Sequence, residues 1–268
     1  MDARLTLIGL LVGILVGFSG IGGSSFTTPL LILFLGVKPL VAVGTDLLYS
    51  APTKLFGAII HGRQGTVSKH TVLYLSVGGI PGALAGIAAL IYLQSRIRLS
   101  TLNAFIQHGV GLVLLVAAAM LLLTPLYARW RARSAAAAKL PEGELTASRP
   151  PSLPKGRLIV LGALVGVVVS LSSIGSGSLT LPMLGLLVPQ LGLRLRVGSD
   201  IAFAALLVPV AALGHLALGD VNVLMSANLL IGSIPGVFVG SKLCKYLPDV
   251  WMRPTMGGVL LLAASRLL

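Results

Sequence analysis

One stretch interrupts a long apolar run early in the chain: Gly17-Phe18-Ser19-Gly20-Ile21-Gly22-Gly23-Ser24-Ser25-Phe26-Thr27-Thr28-Pro29. Glycines, hydroxyls and a proline at this density weaken a helix. In a bilayer, backbone outside a helix persists only where protein or a water-filled cavity surrounds it. The stretch returns as Ser170-Leu171-Ser172-Ser173-Ile174-Gly175-Ser176-Gly177-Ser178-Leu179-Thr180-Leu181-Pro182. Ser172, Ile174, Gly175 and Pro182 follow Ser19, Ile21, Gly22 and Pro29 by 153 residues. After one inserted residue, Gly198, Asp200, His215, Pro235 and Gly240 follow Gly44, Asp46, His61, Pro81 and Gly86 by 154. So steady a register marks an internal duplication. Two interrupted segments at corresponding positions of two halves point to the binding site of a transporter.

Composition fixes the solvent. Of 268 residues, 56% are hydrophobic and 10% charged, and the mean hydropathy is +0.99. A soluble domain carries about 25% charged residues. The apolar runs are too long and continuous for barrel strands, so an all-α polytopic membrane protein is expected. The single cysteine, Cys244, rules out an intramolecular disulfide and a cysteine metal cluster. The net charge of +13 reads as membrane orientation and lipid head groups rather than nucleic acid, because the basic residues sit mostly in short loops. The start, Met1-Asp2-Ala3-Arg4 and an apolar run, reads as mature structure rather than a signal peptide.

The first repeat is expected over 1–127, a basic linker over 128–157 and the second repeat over 158–268. Leu5 to Leu35 would reach about 46 Å as one helix, against a hydrocarbon core of about 30 Å. The Gly/Ser/Thr block splits it into Leu5–Phe18 and Pro29–Leu35, giving either a broken span or a re-entrant hairpin. Pro39 to Ile60, Thr71 to Leu93 and Leu102 to Tyr127 follow as spans. Their counterparts are Leu158 to Val188 (interrupted), Asp200 to Leu218, Val221 to Lys242 and Val250 to Leu268. Gly78, Gly82 and Gly86 make a face on which helix backbones approach closely. With re-entrant first segments the halves are inverted, and Lys and Arg divide 14 to 5 between the two sides. Four full spans per half give 11 to 8. The inverted arrangement fits the positive-inside rule better, with a cytoplasmic linker and both termini outside.

Backbone N–H groups freed at the start of a half-helix suit an anion. Candidate binding residues are Gly20, Gly22, Gly23, Ser24, Ser25, Thr27 and Thr28 in the first break, and Gly175, Ser176, Gly177, Ser178 and Thr180 in the second. The plainer reading is that the glycines permit tight helix crossing and the hydroxyls bond back to their own helix. Asp46 and Asp200, at the expected starts of equivalent segments, read either as N-caps or as proton-carrying carboxylates. Lys54, matched by Val208 in the other half, either snorkels to the membrane surface or faces the cavity as the cation that holds an anion or pairs with Asp200. Eight residues of regular helix keep it from pairing with Asp46. His61 and His215 are further proton-coupling candidates, with a loop-facing structural role as the alternative. The histidines lack metal-site spacing and glutamate occurs only in the linker, so no metal and no cofactor are expected.

The broken first segment ending in Pro29, the block Val41-Ala42-Val43-Gly44-Thr45-Asp46, the stretch Phe56 to Gly65 and the block Pro81-Gly82-Ala83-Leu84-Ala85-Gly86 together resemble the TauE/SafE sulfite exporter family of membrane permeases. The resemblance covers nearly the whole chain except the linker. It implies movement of small sulfur-containing anions such as sulfite or organosulfonates, coupled to protons. Asp46 and Asp200 stand where many members have a small uncharged residue, which points to a subgroup whose substrate differs. The expected protein is therefore a secondary transporter in the cell membrane, with two inverted repeats and alternating access. Its partners would be a small anion, protons and the lipid bilayer, and it would be a monomer or homodimer. The rivals are an intramembrane serine hydrolase using Ser24 or Ser178 with a histidine, and a passive anion channel. Two copies of both break and histidine suit a pathway better than one nucleophile and one base.

Overall fold

The computed structural model describes the backbone of residues 3–19, 24–137, 154–243 and 249–268, and side chains within 5–15, 24–123, 154–239 and 257–268. Among these residues the chain is all helical: α1 (Ala3–Ser19), α2 (Ser24–Leu35), α3 (Pro39–Arg63), α4 (Lys69–Arg96), α5 (Leu99–Ala137), α6 (Lys155–Ser172), α7 (Thr180–Leu187), α8 (Leu193–Leu218), α9 (Val223–Leu243) and α10 (Asp249–Leu267). Among the described residues four stretches are long and apolar enough to cross a membrane: Lys69–Arg96, Leu99–Leu123, Lys155–Ser172 and Leu193–Leu218. Large apolar side chains such as Leu84, Leu164 and Phe105 face outward, while Asp46, Asp200 and Lys54 are buried. That distribution suits a multi-pass protein in lipid.

Several expected boundaries move. Pro39 occupies the first turn of α3 after Lys38, a position where its missing N–H costs nothing. Asp46 therefore lies about two turns inside the helix, not at its cap. Asp200 lies equally deep in α8, which starts at Leu193 after Gly192. The N-cap reading of both aspartates is corrected. Ser24 to Thr28 also leave the loop: they form the start of α2, with Pro29 inside it. The first ten residues of the expected linker, 128–137, continue α5, and residues 138–153 lie outside the described residues.

Packing crosses between the halves. α1 lies against α9, α4 against α6, α3 against α8 and α5 against α10. Glycines make the closest crossings. A Cβ at Gly78 would strike Ile159 and one at Gly82 would strike Ala163, while Gly162 and Gly166 face Leu75 and Gly79. The same set recurs 153 or 154 residues away: Gly232 against Thr6, Gly236 against Leu10, Gly9 against Leu229 and Gly13 against Ser233. Position numbers rise together in both crossings, so these pairs run parallel. In α3 and α8 the order reverses, since Gly44 meets His215 and Gly57 meets Ile201. It reverses again in α5 and α10, where Gly111 meets Leu267 and Leu268, and Leu122 meets Gly257. Polar contacts interchange too. The Ser68 N–H donates to Ser199 Oγ at 2.9 Å, and the Asn222 N–H donates to Thr45 Oγ1 at 3.0 Å.

Candidate functional site

The second break runs from Ser173 to Leu179 between α6 and α7 and is buried from Ser173 to Ser178. Its turn is set by three left-handed residues, Ser173 (φ 60), Gly175 (φ 140) and Gly177 (φ 94). Ser173 alone among them bears a side chain, at a backbone cost of about 1–2 kcal/mol. The repeat register aligns it with Gly20.

The two halves meet at Ser173. Thr28 Oγ1 and Ser173 Oγ are 2.6 Å apart. The Ser173 hydroxyl donates to Asp46 Oδ2 at 2.6 Å, and the Thr28 hydroxyl lies 3.2 Å from the same oxygen. Asp46 is fully buried, and its other oxygen, Oδ1, has no hydrogen-bond partner. Asp200 sits differently: its Oδ1 accepts the Gly177 N–H at 3.3 Å. A backbone donor that the sequence offered to an external anion is thus occupied by a protein carboxylate. The hydroxyls of Ser176 and Ser178 are buried without partners, and Thr180 Oγ1 donates to the Gly175 carbonyl.

A cavity of about 720 Å³ opens between α3, α8 and α9. Lys54 and Asp200 both line it, with Tyr49, Ser50, Thr53 and Ser233 among mostly apolar walls. Lys54 is 8% exposed, and the carboxylates of Asp200 and Asp46 both act on its charge. Around Pro52, the hydroxyls of Ser50 and Thr53 bond to the carbonyls of Leu47 and Ser50. Ser233 likewise donates to the Leu230 carbonyl. Among the described residues expected to hold an anion, only Lys54 lines this cavity, joined there by Asp200. Ser24, Ser25, Thr27 and Thr28 are buried at the start of α2, away from its walls. Gly20, Gly22 and Gly23 lie outside the described residues.

The equivalent histidines diverge. His215 is buried, and its Nε2–H donates to the Ser170 carbonyl at 2.8 Å. His61 sits in the last turn of α3, with Nδ1 2.8 Å from Thr66 Oγ1. Outside the spans, burial pushes the Asp220 carboxyl above its ordinary value, partly offset by Gln94, whose Nε2–H donates to Asp220 Oδ2 at 3.2 Å. Among the described residues no group of three or more histidine, cysteine or acidic side chains could hold a metal ion.

Sequence comparison decides the family. The description Sulfite exporter TauE/SafE matches residues 5–267. The chain belongs to the TauE/SafE sulfite exporter family. It is similar to the probable membrane transporter protein YjnA of Bacillus subtilis, 36% identical over 273 residues and the full length of both chains. The probable membrane transporter protein YdhB of the same organism is 26% identical, covering 96% of this chain and 99% of the relative. No solved structure matches. As a TauE/SafE member with several apolar helices, the chain is a multi-pass membrane transporter protein.

Sequence reasoning did not single out Ser173. The signal was available: a serine opposite glycine in the other repeat, at the point where a left-handed residue ends a helix.

Proposed function

We propose that the chain is a secondary transporter that moves small sulfur-containing anions, sulfite or organosulfonates, by alternating access coupled to protons. The observation that carries this reading is Lys54, a buried cation on the wall of a cavity of about 720 Å³ with Asp200 beside it. An isolated charge taken from water is costly unless a partner or ligand offsets it. The hydroxyls of Ser50, Thr53 and Ser233 are committed to helix carbonyls, which leaves the Lys54 ammonium, with the Tyr49 hydroxyl, as the cavity's donor for a negative group. The apolar walls and the volume suit an organic sulfonate with a short carbon chain as well as sulfite.

Inverted repeats are supported by helix direction. A pseudo-two-fold axis in the membrane plane turns equivalent helices antiparallel, whereas an axis along the normal leaves them parallel. α3 runs against α8 and α5 against α10, as the glycine contacts indicate. Rocking one repeat against the other around Lys54 and Asp200 would expose the cavity to each side in turn. The charge division favours a cytoplasmic linker. Asp46, Asp200, His61 and His215 remain the candidates for the coupling proton. The hydrolase reading gains no support, because His215 bonds to a backbone carbonyl rather than a serine hydroxyl.

The test is uptake of labelled sulfite, sulfate, thiosulfate and organosulfonates into proteoliposomes at two pH gradients. Saturable uptake of a sulfur anion that changes with the gradient is expected. Absence of any such flux by folded protein would sink the proposal, and gradient-independent flux would indicate a passive channel.

A further inference from the structure

We infer that Asp46 carries the coupling proton as a neutral carboxylic acid, held in a ring with Thr28 and Ser173 that ties the two repeats together. This rests on the transport reading above for its purpose, but not for its chemistry.

The ring follows from counting hydrogens. Three contacts join three oxygens: Thr28 to Ser173 at 2.6 Å, Ser173 to Asp46 at 2.6 Å and Thr28 to Asp46 at 3.2 Å. The two hydroxyls bring one proton each. With an ionised carboxylate they fill two contacts and leave the third without a hydrogen. Asp46 Oδ1 would then be a buried anionic oxygen without a hydrogen bond, with the Ser24 and Thr27 hydroxyls close to the carboxylate. A proton on Oδ2 closes the ring. The acid donates to Thr28, Thr28 to Ser173, and Ser173 back to Oδ2. Oδ1 becomes a neutral carbonyl oxygen, whose lack of a partner is far less costly than that of an anion.

Ser173 supplies a second, independent observation. It holds a left-handed backbone (φ 60) where its repeat counterpart is Gly20. A strained residue persists when its surroundings hold it, and such residues gather at functional switches. Here the side chain that glycine lacks reaches from the second repeat to Asp46 in the first.

Asp200 does not share this role. It accepts a backbone N–H from Gly177 and shares the cavity with Lys54, whereas Asp46 is bonded to hydroxyls of both repeats. The titratable groups near Asp46 are Tyr49 and Lys54 on α3 itself, and Asp200 and His215 on α8. α2 and the described part of α9, residues 223–239, carry none, nor does α6 beyond its first turn, where Lys155 and Arg157 lie. On α5, His108 is exposed and bonded to its own helix. The start of α2 is the positive end of a helix dipole, unsuited to a sodium ion beside Asp46 but able to support the carboxylate once the proton leaves. Loss of the proton removes the third hydrogen of the ring and loosens the tie between repeats.

The measurement is infrared spectroscopy of the full chain in lipid nanodiscs near neutral pH, which needs no substrate. The wild type is expected to show the carbonyl stretch of a protonated carboxylic acid, lost in Asp46→Asn and retained in Asp200→Asn. Ser173→Gly, which relieves the backbone and removes the hydroxyl, should fold and shift that band. Should Asp46→Asn fail to fold, the Ser173→Gly spectrum decides. Absence of the band in wild type, its survival in Asp46→Asn, its indifference to Ser173→Gly, or its replacement by Asp46-dependent sodium binding would each overturn the inference. If the band behaves as expected and no anion is carried, the transport reading fails while the proton site stands.

Discussion

Lys54 of α3 and Asp200 of α8 face one cavity from opposite repeats, so among the described lining residues one cation shares the site with a carboxylate 146 positions away. Asp46, on the same helix as Lys54, is committed to hydroxyls instead. Two aspartates that occupy equivalent positions in the sequence therefore have different surroundings.

Neutralising one member of the pair should cost more than neutralising both. Asp200→Asn leaves Lys54 buried without the carboxylate that shares its cavity, and Lys54→Gln does the reverse. Each single change should lower stability, by less than the roughly 3–5 kcal/mol lost when a directly paired buried ion is orphaned. The double variant should recover part of that loss, because neighbouring charges are not additive. Thermal unfolding in detergent for the four proteins measures the coupling, and strict additivity would mean that the two charges do not sense each other.

Glycine replacements should separate close crossings from open positions. Gly82→Ala pushes a methyl into the Ala163 backbone of α6, and Gly166→Ala does the same at Gly79 and Ala83 of α4. Over-packing of this kind costs about 1–3 kcal/mol. Gly109→Ala in α5 meets nothing within 4 Å and should be neutral or gain about 0.5–1 kcal/mol from helix propensity. Melting temperatures for the three variants, measured in one detergent, check the order.

Asp220 should give stability a pH dependence on the acid side. Its folded carboxyl binds a proton more readily than the unfolded one, since burial raises it. Between the ordinary carboxylate value and the raised one, the folded state holds more protons. Stability therefore falls as pH rises through that window. The effect is small because the group is partly solvated. Asp220→Asn keeps the acceptor for Gln94 and should flatten this part of the profile, read as melting temperature against pH.

His215 should behave as a structural donor. His215→Phe leaves the Ser170 carbonyl without its Nε2–H donor and should cost about 1–3 kcal/mol, whereas His215→Gln retains an N–H and should lose less. Equal losses in the two variants, again by thermal unfolding, would remove the hydrogen bond from the explanation.

The duplication, the helical class and the positions of the breaks were legible because glycine, proline and hydropathy act locally. Asp46 and Asp200 were harder. Gly-Thr-Asp and Gly-Ser-Asp look like helix starts, yet Pro39 is the stronger signal for α3 and sets its beginning seven residues earlier. Ser24 to Thr28 looked like loop, but buried hydroxyls are tolerated at the start of a helix, where side-chain partners such as Asp46 are within reach. The cavity was not legible at all. It depends on how α3, α8 and α9 cross, and no local pattern encodes a contact between residues so far apart in the chain. Lys54 could be singled out only because its repeat counterpart is Val208.

Anion binding to purified wild type and Lys54→Gln, followed by calorimetry with sulfite and a short organosulfonate, tests the central claim most directly. The wild type should bind at least one of them saturably, and Lys54→Gln, still folded, should weaken that binding by roughly tenfold or more, the share expected of a charge-assisted contact. Unchanged affinity in Lys54→Gln would contradict the account and move the anion away from this cavity.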